Sequence, residues 1–393
     1  MIIGVFIRQL VRSSIINARR PAVVPPPAVH PSGKRIINFT LGDPSKVDPK
    51  AFATPEHIRI ARANAVYHGE YLPPRGHLRL LDLISRETGA ALDNIAITNG
   101  ASEGMEKLLL AFGGQMLMPS PCFPPYLEHH DYHGKSVILY QTLGERGLDL
   151  DDLQRKIGDD TVAILVINPS NPTGKIHSRN ELEGIIDIAK RAELVLVADE
   201  VYNELAFEER PMRLRELTKE VPILELGSFS KKYLMCGDRV GWFAFYNVNE
   251  RLAELRDALF RLCTTRLSAN APGQLAAIAA LEGGTAHLET MLLEIKQRAR
   301  VMTGCLRDIP NIKIVEPQAG FYLWFGLPVG RFGNDLDFIR ELANQEAVYI
   351  LPGSGFTRTA VEDGRVWFRA VFLPPVEDIR EGVARIRCFM ASA

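Results

Sequence analysis

The feature that most constrains the fold is a repeated alternation: short apolar runs, each ending in a polar or glycine-rich turn, with helix-length segments between several of them. The runs are Ile95–Thr98, Met116–Met118, Val137–Tyr140, Val162–Ile167, Leu194–Ala198, Ile223–Leu226 and Trp242–Phe245. Near-continuous hydrophobicity over so short a span is what a strand buried on both faces requires. Among the intervening segments are Glu103–Phe112 and Glu181–Arg191, the second entered through a capping box in which Ser178 lies three residues before Glu181. Strands alternating with helices predict an α/β fold, with a mainly parallel seven-stranded sheet flanked by helices on both faces.

After Gly284 the pattern changes to one long helical segment, His287–Leu306, with apolar positions at Met291, Leu292, Ile295, Ala299 and Met302. It reads as a connection into a smaller α+β domain with strands at Ile312–Val315, Phe321–Phe325, Val348–Leu351 and Val366–Phe372 and helices at Leu336–Glu346 and Val376–Met390. A chain of 393 residues accommodates two such domains. The expected division is a large domain over 51–285 and a small domain made of 36–50 and 286–393. Ahead of both, residues 1–35 form an arm, because five prolines within Pro21–Pro31 favour an extended, semi-rigid chain.

Charge and cysteine content narrow the function classes. Forty-six basic and forty-seven acidic residues leave a net charge of −1, so no bulk electrostatic attraction to nucleic acid or an anionic membrane is expected. The five cysteines, Cys122, Cys236, Cys263, Cys305 and Cys388, are scattered without the paired spacings of a zinc site or a disulfide framework, which suits a reducing cytoplasm. Ile2–Val11 is apolar, but Arg8 interrupts it and no small-residue cleavage pattern precedes Arg19-Arg20, so it does not read as a secretion signal.

In an open parallel sheet, ligands bind outside the carboxyl ends of the strands. Four of those positions here carry unusual chemistry. Ile95–Thr98 is followed by Asn99-Gly100-Ala101-Ser102-Glu103, a small-residue turn opening a helix whose N–H groups suit an anion. Val162–Ile167 runs into Asn168-Pro169-Ser170-Asn171-Pro172-Thr173-Gly174, a rigid turn able to present one amide. Leu194–Ala198 leads to Asp199-Glu200-Val201-Tyr202, and Ile223–Leu226 to Gly227-Ser228-Phe229-Ser230-Lys231, with Arg239 eight residues beyond the lysine. An amine for an aldehyde, an acid for a ring nitrogen, and cationic and N–H donors for a phosphate together match pyridoxal phosphate.

Ser228-Phe229-Ser230-Lys231, with Arg239 and Gly241 at their spacing, resembles the lysine signature of the fold-type I, class I and II aminotransferases. The likeness runs from Leu41-Gly42-Asp43-Pro44 to Phe368-Arg369-Ala370-Val371. The resemblance implies that Lys231 carries the cofactor as a Schiff base and shuttles the proton. It implies Asp199 at the pyridine nitrogen, Tyr202 and Asn171 at the phenolic oxygen, and Phe123 stacked on the ring. Ser228, Arg239 and the turn Gly100-Ala101-Ser102 would hold the phosphate, joined by Tyr71 from a neighbouring subunit, hence a homodimer. Arg369 would take the substrate α-carboxylate, with a backbone contact from Gly42. The residues around Arg369 support that role independently. Trp367, Phe368, Ala370, Val371 and Phe372 are apolar, and an arginine in such a strand is costly unless an anion meets it.

Each of these residues also has an ordinary reading: Lys231 as a solvated side chain, Asp199 as a helix cap, Asn171 as a turn former, Arg239 as a surface ion pair, Phe123 and Tyr126 as packing. Their joint occurrence at successive strand ends favours the functional one. His129, His130 and His133 lack an acidic partner at metal-ligand spacing beyond Asp131 and read as a solvated helix terminus, so no metal is expected. Gly353-Ser354-Gly355-Phe356 lacks the rest of a dinucleotide fingerprint and reads as a turn at the mouth of the site.

Within the family, Phe368–Pro375 and Ile36–Pro44 most resemble alanine aminotransferases of archaeal and bacterial type, close to tyrosine aminotransferases. The expected reaction moves an amino group from an L-amino acid, alanine in the first instance, to a 2-oxo acid, 2-oxoglutarate. An aromatic- or aspartate-type aminotransferase of broad specificity and a pyridoxal-phosphate carbon–sulfur lyase are the alternatives. A ligand-sensing DNA-binding module of this fold is disfavoured, since residues 1–35 are too short and proline-broken for a helix-turn-helix.

Overall fold

The computed structural model describes residues 14, 23–65, 69–144 and 147–391. The apolar segment Ile2–Val11 lies outside them. A short strand β1 (Ile37–Asn38) precedes seven strands that form the principal sheet: β2 (Ile95–Thr98), β3 (Gln115–Ser120), β4 (Ile138–Gln141), β5 (Thr161–Ile167), β6 (Val195–Asp199), β7 (Ile223–Ser228) and β8 (Gly241–Tyr246). Their order is β2-β8-β7-β6-β5-β3-β4, and only β8 runs antiparallel to its neighbours.

The burial of β5 shows why these runs become interior strands. Ala163, Leu165 and Ile167 pack into one apolar cluster with Leu108, Leu224 and Phe243, whereas Ile164 and Val166 pack into another with Leu182, Ile185 and Leu196. Successive side chains point to opposite faces, so a strand covered on both sides must be apolar throughout. Helices Ala101–Ala111, Pro124–Tyr132 and Glu250–Thr265 contribute to the first cluster, and Arg179–Arg191 to the second. The capping box of the last is formed: the Glu181 amide donates to Ser178 Oγ at 3.3 Å and the Ser178 amide to Glu181 Oε2 at 2.7 Å.

Antiparallel β8 has a functional consequence. Its amino end lies at the same edge as the carboxyl ends of β2 and β7, so Arg239, just before β8, reaches the edge where the other strand-end residues gather.

The second half of the chain builds a four-stranded antiparallel sheet, β12-β13-β10-β9, from β9 (Lys313–Val315), β10 (Tyr322–Pro328), β12 (Leu351–Pro352) and β13 (Arg365–Val371). The expected single strand Val348–Leu351 is two: β11 (Val348–Tyr349) pairs in parallel with β1, whereas β12 pairs with β13. The chain changes sheets at Ile350, and Pro352, lacking an N–H, sits in an edge strand where none is needed on the outer side. Phe39 bridges the two sheets, accepting from the Val371 amide and donating to Tyr349 O, both at 2.8 Å. These bonds bring Thr40-Leu41-Gly42 beside Arg369. The described part of the arm docks on helix Asp335–Glu346, where buried His30 places Nε2 2.8 Å from Ala343 O. Among the described residues no helix is long and apolar enough to cross a membrane.

Candidate active site

The strand ends enclose a cavity of about 150 Å³ whose lining includes Ala101, Ser102, Phe123, Asn171, Asp199, Tyr202, Ser228, Lys231 and Arg239. At its floor Asp199, the last residue of β6, is buried. Its carboxylate accepts the Tyr126 hydroxyl at 2.9 Å and, more weakly, the Val201 amide at 3.4 Å. Burial pushes the Asp199 carboxyl up to about 6, against the pull of the Tyr126 bond.

One end of the cavity is built for an anion. Helix Ala101–Ala111 begins at Gly100, which has φ +76° and no side chain to cap the first amides. A Cβ at Gly100 would lie 2.4 Å from the Arg239 guanidinium, so only glycine lets that cation rest against the helix start. Arg239 holds a left-handed backbone, φ +54°, and donates to Cys236 O at 3.0 Å. A Cβ at Gly241 would strike the Ala101 amide at 2.5 Å, so this glycine lets the start of β8 approach the same turn. Ser228 Oγ accepts the Ser230 amide at 3.1 Å and lines the same end.

Lys231 donates to the carbonyl of Gly42 at 2.7 Å, and Cys236 Sγ lies 3.8 Å from its amine. Gly42 is confined, since a Cβ there would come within 2.5 Å of the Tyr322 hydroxyl. That hydroxyl is 2.7 Å from the Tyr202 hydroxyl, and burial together with Tyr322 raises the Tyr202 phenol well above its ordinary range.

Arg369 is 6% exposed. It donates to Asn171 Oδ1 at 3.2 Å and to Thr40 O at 2.8 Å, both neutral acceptors, and its Nε is buried with no hydrogen-bond partner. The guanidinium lies 4.5 Å from the Tyr322 ring centre and 5.2 Å from that of Phe356. Burial lowers its pKa. A buried cation flanked by π faces, with an unused donor, suits a carboxylate. Phe356, in the segment read as a turn, falls in the short helix Ser354–Thr357.

The structure thus gathers Gly42, Gly100, Ala101, Ser102, Phe123, Asn171, Asp199, Tyr202, Ser228, Lys231, Arg239 and Arg369 in one region. Tyr71 stands apart, 76% exposed. Sequence reasoning left Tyr126 as packing and missed Tyr322. Tyr126 follows Phe123 by three residues in the first turn of a helix, and Tyr322 sits in an aromatic run that reads as core. The histidine reading also needs correction. His130 is buried, its Nδ1 2.9 Å from Tyr126 O, because this face of helix Pro124–Tyr132 packs inward. Only His129 and His133 remain partly exposed, with stacked rings 6.4 Å apart. Among the described residues no group of three or more His, Cys, Asp or Glu side chains is placed to hold a metal ion.

Behind the site, Arg213 bridges Glu200 at 3.0 Å, Glu204 at 2.8 Å and Glu225 at 3.3 Å, with Arg215 also paired to Glu225. Burial and the Glu225 charge push Glu200 upward, and the two arginines pull it back. This network braces the turn that carries Asp199 and Tyr202.

A doubly covered, mainly parallel sheet with a lysine, a buried acid and an anion cradle at its strand ends defines a fold-type I pyridoxal-phosphate enzyme. The chain belongs to the aminotransferases of class I and II, whose family model matches residues 34–386. It is an aminotransferase, and this family depends on pyridoxal phosphate and acts on amino acids and 2-oxo acids. A tyrosine aminotransferase of Caenorhabditis elegans is 27% identical over 383 residues, covering 93% of this chain and 80% of the relative. An alanine aminotransferase of Mycobacterium bovis is 28% identical over 380 residues, covering 92% and 86%. Among solved structures, the alanine aminotransferase of Pyrococcus furiosus is 34% identical with a TM-score of 0.86, covering 92% of this chain and 94% of that one. The aspartate aminotransferase of Thermotoga maritima is 26% identical with a TM-score of 0.80, covering 92% and 93%.

Proposed function

We propose that the chain transfers the amino group of L-alanine to 2-oxoglutarate, using pyridoxal phosphate held at the strand-end cavity. The observation that carries the reading is Arg369, a buried guanidinium with an unpartnered Nε and only neutral acceptors, linked through Asn171 to the cavity that Lys231 lines. A substrate carboxylate completes it. Asp199, a buried carboxylate hydrogen-bonded by a phenol and an amide, suits the cofactor's protonated ring nitrogen. Asn171 and Tyr202 would face its phenolic oxygen, Phe123 its ring, and Ser228, Arg239 and Gly100-Ala101-Ser102 its phosphate. When bound, the cofactor supplies an aldehyde to receive the amino group and an electron sink for the substrate α-carbon. Lys231 then moves the proton at the α-carbon, while Arg369 and Gly42 hold the substrate in line.

The alanine donor is assigned first from the resemblance of Phe368–Pro375 and Ile36–Pro44 to alanine aminotransferases. The 34% identity to the Pyrococcus furiosus alanine aminotransferase supports the same choice. The acceptor is assigned from the sequence resemblance. A second reading, an aromatic donor, draws on the phenyl and phenol rings of Phe123, Tyr126 and Tyr322 in the lining and on the tyrosine aminotransferase relative.

We also propose a cytoplasmic homodimer, in which exposed Tyr71 reaches the partner's phosphate site and the groove between Pro73-Pro74 and Phe260 is covered. The free cysteines are consistent with that compartment. A donor panel with 2-oxoglutarate tests the assignment: alanine should give the highest kcat/KM. Preference for tyrosine or aspartate overturns it, and ammonia release without an acceptor indicates a lyase.

A further inference from the structure

We infer that Tyr126 is a positioning residue for the cofactor, holding Asp199 as an oriented carboxylate toward the ring nitrogen. The inference rests on the role of Asp199 proposed above. Tyr126 lies in the first turn of helix Pro124–Tyr132, directly after Phe123 and two prolines. Its ring is fully buried, with the Phe123 ring edge-on at a centroid distance of 6.4 Å. Its hydroxyl spans from that helix to the end of β6 and donates to Asp199 Oδ2 at 2.9 Å.

The groups whose titration the Asp199 charge shifts are neutral in their ordinary state, while Lys231 and Arg239 share the cavity with it as cations. The Tyr126 phenol comes from the helix, the Cys122 thiol from the segment before it, and the Tyr202 phenol from the following turn. The Asp199 charge raises the thiol and both phenols, so these groups sense it without neutralising it. Burial favours the protonated acid, and among these side chains only Tyr126 opposes burial through a hydrogen bond. Without that donor the carboxyl is protonated nearer neutrality, and a neutral acid cannot hold a positively charged ring nitrogen. A merely structural Tyr126 would affect packing but leave the Asp199 titration in place.

The test uses the cofactor-free protein, following the carboxyl carbon of Asp199 by NMR across pH, with Asp199→Asn identifying the signal. Tyr126→Phe, with its fold checked by circular dichroism, should move the midpoint upward from about 6 by about one to two pH units, the scale of one charge-assisted hydrogen bond. Pyridoxal phosphate affinity should then fall most near pH 7 and recover by pH 9. Site-specific 3-fluorotyrosine at position 126, a more acidic donor of the same shape, should move the midpoint down. An unchanged midpoint in both variants overturns the inference. If Asp199→Asn binds the cofactor as the wild type does at every pH, the proposed role of Asp199 fails, and the inference fails with it.

Discussion

Replacing Arg369 with lysine separates charge from geometry at the proposed carboxylate site. The arginine donates to Asn171 at 3.2 Å and to Thr40 O at 2.8 Å, keeps Nε free, and stacks beside Tyr322 and Phe356. Lysine keeps the charge but loses the planar fork, so an incoming carboxylate loses one of two charge-assisted bonds. One such bond is worth about 1.5–3 kcal/mol, which corresponds to about 10- to 150-fold in affinity. Amino donor and keto acceptor present the same α-carboxylate. Alanine, glutamate, pyruvate and 2-oxoglutarate should therefore weaken together in single-turnover half-reactions, with cofactor absorbance unchanged. Loss for one substrate while the other three are unaffected would show that Arg369 reads a side chain, and would refute the argument.

The remaining predictions follow from buried groups and confined glycines. Asp199→Asn should lower turnover by about a hundredfold or more while, in the cofactor-free protein, raising stability. The folded carboxyl lies near 6 against 3.8 for the free side chain, so the wild type carries a cost of about 2–3 kcal/mol above pH 6 that vanishes as pH falls toward 4. Urea melts of both proteins at pH 8 and pH 4 check this, and an equal gain at both values contradicts it. Gly100→Ala places a Cβ 2.4 Å from the Arg239 guanidinium at φ +76° and should weaken pyridoxal phosphate binding by at least about tenfold, the scale of losing a helix-start and guanidinium contact. An unchanged dissociation constant removes the cradle from the account. Arg213→Met leaves Glu200 and Glu225 buried with one arginine between them and should cost about 3–5 kcal/mol in chemical denaturation at pH 7. A loss below about 1 kcal/mol would mean that Arg215 alone suffices.

The principal sheet was legible because strands covered on both faces leave little room for polar residues, as Thr161–Ile167 and Val195–Asp199 illustrate. Arg369 was legible for the converse reason: a charge in an apolar run demands a partner. What escaped depended on tertiary choices that periodicity does not encode. Val348 and Leu351 belong to one apolar run, but its partner changes from β1 to β13 within three residues. His130 turns inward because of what helix Pro124–Tyr132 packs against, not because of its own neighbours in sequence. Tyr126 and Tyr322 carry hydroxyls that matter only once Asp199 and Tyr202 are brought opposite them, and in sequence each looks like one more core aromatic.

The central claim is that Lys231 carries the cofactor, and peptide mapping after borohydride reduction tests it most directly. The protein is loaded with pyridoxal phosphate, reduced and digested. The account predicts the added phosphopyridoxyl mass on the peptide containing Lys231, and its absence, together with the visible absorbance, in Lys231→Ala. Stoichiometric mass on another lysine, or near-normal transamination by Lys231→Ala, would contradict it.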